Sequence, residues 1–135
     1  MMKTRDLEGK RFLEHISKME AQLDEKLDEL DYWKKQRVLC SENETIMQNI
    51  EERSAELQEM IRLLTEQKLS ATKLIDSVED PVGRAILRRR YILCNTWKKI
   101  ADACGRMSER NAHYIHDQAL LDFEKIYRGS NAVLI

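Results

Sequence analysis

From Phe12 to Trp33 the large apolar residues return every three or four positions, at Phe12, Ile16, Met19, Leu23, Leu27, Leu30 and Trp33. No proline or glycine interrupts them. A strand would alternate every two residues, so this spacing predicts a helix with one apolar stripe on a charged rod. The helix is expected from about Thr4 to Leu39. At about 1.5 Å per residue it would run roughly 45–50 Å. Alone it cannot bury its stripe.

A partner follows in the same chain. Cys40-Ser41-Glu42-Asn43-Glu44 breaks the pattern, and Ser41 with Glu44 three residues on reads as a capping box that restarts a helix. The second stripe is Met47, Ile50, Leu57, Ile61, Leu64, Ala71, Ile75 and Val78, with Ser54 and Lys68 filling the remaining places. Similar lengths and a short connection make an antiparallel, coiled-coil-like hairpin the economical arrangement. Pairing of the stripes between two chains would bury them as well. The composition agrees: 35% of residues are charged, 6% aromatic, with one proline and four glycines. The expected fold is all-α, with a helical arm over residues 1–79, a bundle over 80–128 and a short tail over 129–135. That apolar tail, Ala132 to Ile135, is expected either to fray or to tuck against a neighbouring chain.

The bundle has a sharper signature. Asp80-Pro81 reads as a cap and first helical residue, opening a helix that ends in Arg88-Arg89-Arg90. Thr96 can cap a short helix that buries Trp97, Ile100, Ala101 and Cys104. Gly105 can end it. Ser108 can cap a longer helix whose inward positions are Ala112, Ile115, Ala119, Leu120 and Phe123. Two helices joined by a glycine turn, with alanines where they cross, predict a helix-turn-helix.

Once the apolar positions point inward, the last helix presents Glu109, Arg110, Asn111, His113, Tyr114 and Asp117 outward. Arg and Asn match the donor and acceptor edges of guanine and adenine in the major groove, so these six are the expected base-facing residues. Arg88, Arg89, Arg90, Lys98, Lys99 and Arg106 are expected to meet phosphates, with Thr96 doing so through its helix terminus. The charge is distributed to suit. Residues 1–83 carry 13 Lys and Arg against 19 Asp and Glu, a net of −6, whereas residues 84–135 carry 10 against 5, a net of +5. Attraction to phosphates is local, over about 10 Å at 0.1 M salt. A near-neutral total therefore does not argue against DNA.

Ala85-Ile86-Leu87-Arg88-Arg89-Arg90-Tyr91-Ile92, Thr96-Trp97-Lys98-Lys99-Ile100-Ala101, Ser108-Glu109-Arg110 and Ile115-His116-Asp117-Gln118-Ala119-Leu120 occur in that order. Together they resemble small phage transcriptional regulators of the ArpU/RinA type, whose C-terminal part is similar to the promoter-reading region 4 of sigma factors. The resemblance covers about the last 50 residues. It implies a phage or prophage origin, and a packed, hydrogen-bonded His116 on the inner edge of the last helix. Arg106 and Met107 stand between the turn glycine and the capping serine where the family has one residue; the extra residue is expected to re-aim the recognition helix.

Other chemistries find little footing. Cys104, His113 and His116 lack a fourth ligand in any standard spacing, so no metal is expected. No phosphate-binding glycine loop and no nucleophile motif occurs, so neither catalysis nor a cofactor is expected. Trp33 and Trp97 read as core residues. There is no apolar run long enough for a membrane span, and Met1 to Asp6 lack the apolar core of a signal peptide. Three cysteines without paired spacing suit a reduced, cytoplasmic protein. The expected function is sequence-specific transcriptional regulation on double-stranded DNA. A second copy (a dimer through the N-terminal helices) or RNA polymerase is the expected protein partner. A small terminase-like packaging subunit and a coiled-coil adaptor are the alternatives, separable by oligomer size and by loss of binding on Arg110→Ala.

Overall fold

A computed structural model describes residues 6–130. The expected helix start at Thr4 and the apolar tail from Ala132 to Ile135 lie outside the described residues. Among those described, the regular structure is helical: α1 Glu8–Leu39, α2 Glu44–Asp76, α3 Pro81–Leu87, α4 Trp97–Ala103 and α5 Glu109–Arg128. A π-helical turn, Arg88–Ile92, carries α3 onward. None of these helices is long and apolar enough to cross a membrane.

The contacts divide the chain into two compact units, and not at residue 79. Residues up to Lys18 belong with those from Gln67 onward; Met19–Glu66 form the other unit. The physical reason lies in the first turns of α1. Leu7, Phe12, Leu13 and Ile16 are buried, as are Ala71, Ile75 and Val78 at the end of α2. The Phe12 ring lies 6.5 Å from that of Phe123 and 5.0 Å from that of Tyr127. The Gly9 N–H donates to Glu124 Oε2 at 2.8 Å, and Arg128 Nε donates to Glu124 Oε1 at 2.7 Å. Burial of a carboxylate is costly without such donors, and Glu124 has both.

The remaining core of this unit comes from the three shorter elements and α5. Asp80 caps α3 by accepting from the Gly83 N–H at 3.0 Å, with Pro81 in the first helical turn. α3 crosses α5 so closely that a Cβ at Gly83 would stand 2.9 Å from the Cβ of Ala119. After Leu87 the helix loosens into the π turn, where the Leu93 N–H reaches back to the Arg88 carbonyl at 3.1 Å. This turn buries Tyr91.

In the Met19–Glu66 unit, α1 and α2 are joined by Cys40–Asn43, and ion pairs run between them. Arg53 grips Glu29 through two bonds of 2.7 and 2.9 Å, and Arg37 meets Glu51 at 2.9 Å. Trp33 Nε1 also donates to Glu29 at 2.8 Å. With Arg53 first and Trp33 second, these donors hold the Glu29 carboxyl down at about 2. The seam itself is narrow. Met19, Leu30, Ile50 and Leu57 are buried, Leu23, Trp33, Met47, Ile61 and Leu64 half-buried, and Leu27 is 49% exposed. Two helices cover only the residues on the line between them, so a flanking position such as Leu27 keeps one wet side.

The restart of α2 differs from the capping box read at Ser41. Asn43 is the cap: its Oδ1 accepts from the Ile46 N–H at 3.0 Å. The Asn43 N–H itself closes a turn to the Cys40 carbonyl at 3.0 Å, which leaves Ser41 too far back to reach the helix.

Candidate nucleic-acid interface

α4 and α5 start on side-chain caps at the expected residues. Thr96 Oγ1 accepts from the Lys99 N–H at 3.2 Å, and Ser108 Oγ from the Asn111 N–H at 3.1 Å. The inner sides meet at a small core of Ile86, Ile100, Ala101 and Ala112. Trp97, Cys104, Met107 and Ile115 pack against it. Alanine on both helices lets them approach closely.

The two residues between Gly105 and Ser108 are absorbed by the backbone. Gly105 has φ +97° and Arg106 φ +55°, two successive left-handed residues. The Met107 N–H then returns to the Ala101 carbonyl at 3.1 Å, and its side chain joins the core. Arg106 is left in solvent.

Of the six expected base-facing residues, Glu109, Arg110, Asn111, His113 and Tyr114 are exposed on α5. Tyr114 is 64% exposed. His113 lies on the face of Trp97, ring centroids 3.8 Å apart. Asp117 is different. It is half-buried, and its Oδ1 lies 3.0 Å from His116 Nδ1.

That contact belongs to a buried relay. His116 is 5% exposed, and its Nε2 is 2.8 Å from the Tyr91 hydroxyl. Burial pushes the His116 pKa below its ordinary 6.5, against the opposing pull of Asp117, and burial pushes the Tyr91 hydroxyl up. The neutral imidazole donates from Nδ1 to Asp117, and Tyr91 O–H donates to the free Nε2. The chain of bonds ties α5 to the π turn. His116 thus sits where the sequence reading put it, packed and hydrogen-bonded.

The expected phosphate residues separate into two sets. Lys98, Lys99 and Arg106 are exposed. Arg88, Arg89 and Arg90 are half-buried and engaged within the chain: Arg88 with Asp76, Arg89 with Asn95 Oδ1 at 3.3 Å, Arg90 with the Asn95 carbonyl at 3.1 Å. Arg90 also stacks 4.9 Å above the Trp97 ring. The Thr96 hydroxyl is occupied by its cap.

Known protein families, curated proteins and solved structures show no match to this chain. The interface therefore has to be read from its own chemistry. Among the described residues, no group of three or more His, Cys, Asp or Glu is placed to hold a metal ion. Cys104 faces the core, His113 faces Trp97 and His116 faces Tyr91. Sequence reading missed Glu124, whose place among apolar positions of α5 resembles an ordinary surface glutamate. Its only local signal is Arg128 one turn later.

Proposed function

We propose that this chain is a sequence-specific DNA-binding transcriptional regulator. In this reading α4, the Gly105–Arg106 turn and α5 act as a helix-turn-helix, with α5 as the recognition helix. One observation carries it: a capped helix turns Arg110, Asn111 and Tyr114 to solvent, in a unit where α4 and the turn that follows it carry the exposed cations Lys98, Lys99 and Arg106. Arg110 and Asn111 supply bidentate geometry for base edges, and the three cations supply phosphate contacts. Asp117 and the arginines Arg88 and Arg89 act as positioning residues, since their side chains are spent inside the fold. The resemblance to ArpU/RinA-type regulators points the same way.

The Met19–Glu66 unit serves, in this proposal, as a hairpin arm within each chain. One helix-turn-helix reads only a few base pairs, so the arm is where a second copy or RNA polymerase would add specificity. No catalytic step and no cofactor is part of this function.

The test begins with selection of a preferred site from randomised duplex DNA. Arg110→Ala should lower discrimination between selected and random duplex by about 1–3 kcal/mol, whereas Lys99→Ala should weaken both alike. Equal losses on both duplexes for Arg110→Ala would sink the assignment of the recognition face. Light-scattering mass separates this function from DNA packaging, for which a ring is required.

A further inference from the structure

The first helix brings charge to the DNA-binding unit from a part of the chain where the sequence offers no such signal. An open cleft of about 590 Å³ lies in this unit, lined by Lys10 and Lys18 of α1, Arg90 and Tyr91 of the π turn, Trp97 of α4 and His113 of α5. His113 belongs to both the cleft and the exposed face of α5, so the cleft borders the recognition face directly.

Its charges are arranged for an anion. Lys18 is exposed and makes no ion pair or hydrogen bond among the described residues. Arg90 is held in one orientation by Trp97 and the Asn95 carbonyl, so little freedom is lost when it meets a ligand. Two carboxylates also line the cleft, and both are engaged. Glu14 lies 3.7 Å from Lys10 Nζ, and Asp117 accepts from His116. The wider field agrees. Among the described residues, 6–18 and 67–130 together carry 15 Lys and Arg against 11 Asp and Glu, a net of +4, whereas residues 19–66 carry 6 against 13, a net of −7.

We propose that this cleft is a second phosphate-backbone contact of the protein on DNA, with Lys10, Lys18 and Arg90 gripping the strand that passes α5 on its His113 side. The inference rests on the DNA-binding function proposed above. An open, polar, cationic channel suits a run of phosphates; a small organic ligand asks for an enclosed and largely apolar pocket.

The experiment measures binding of full-length protein to selected and random duplex across a salt series. Lys10→Gln combined with Lys18→Gln should weaken both complexes alike and make the salt dependence of log K shallower by about 0.9 for each phosphate that is no longer neutralised. Lys35→Gln, the same charge change in the other unit, should leave the slope as it is. Lys18→Gln alone, at an exposed position, should give half the change and decides the matter if the double variant melts early.

Wild-type binding with an unaltered slope in the variants overturns the cleft contact and leaves the DNA function standing. An equal change for Lys35→Gln overturns it too, as an effect of net charge. Binding of inorganic phosphate to wild type but not to the double variant, with duplex affinity and salt slope the same in both, assigns the cleft to a free phosphate ester instead. A wild-type protein that binds no duplex at low salt overturns both proposals.

Discussion

His116 shows how much one buried side chain can decide. Its position three residues after His113 and four before Leu120 places it on the inner edge of a helix, which periodicity makes legible. Its partner Tyr91 is not legible, because it lies 25 residues away in the π turn and is brought to His116 by the packing of α3 on α5. The pH behaviour follows from that burial. With the folded pKa below 6.5, the unfolded chain takes up a proton first as pH falls. The histidine's contribution is therefore full above 6.5 and is lost progressively below it. Denaturation at about pH 7.5 and about pH 5.5 should show lower stability at the acid value, and His116→Gln should flatten that difference. An identical pH slope in wild type and variant would exclude a neutral buried imidazole.

At the scale of elements, caps and turns are the most readable features. Asp80, Thr96 and Ser108 each cap the helix they precede, because one side-chain oxygen three residues from a free N–H needs only local geometry. Asn43 displaces Ser41 as a cap because the length of the turn, set by its own backbone bonds, selects the residue just before the helix. The Gly105–Arg106 turn is a sterner case. Gly105 has no atom within 4 Å of a Cβ built on it, so Gly105→Ala meets no clash and tests backbone conformation alone. It should cost about 1–2 kcal/mol in thermal or chemical denaturation. Replacing Arg106 by glycine, at φ +55°, should be neutral or stabilising by the same argument. If both substitutions destabilise equally, left-handed strain is not what governs this turn.

On the scale of the whole molecule, the first turns of α1 belong to the same core as α5. Phe12 is 1% exposed against Phe123 and Tyr127. Phe12→Ala should therefore cost about 3–5 kcal/mol and loosen α5, which amide exchange along Ala112 to Glu124 would report. A fragment that begins at Glu79 lacks Leu7, Phe12, Leu13 and Ile16, and also Ala71, Ile75 and Val78 of α2, and should not fold by itself. A cooperatively folded fragment from Glu79 onward, by circular dichroism, would contradict this. The sequence by itself determined the helical class, the buried faces of the helices, the caps of α3, α4 and α5, and the exposed α5 residues from Glu109 to Tyr114. All of these depend on neighbours within about one helical turn. Only the tertiary structure decided the division into units, the engagement of Arg88 with Asp76, the burial of Glu124 and the gathering of Lys10 and Lys18 beside His113. Those depend on contacts between residues from 12 to 115 positions apart, where pattern carries no register and packing alone chooses which surfaces meet.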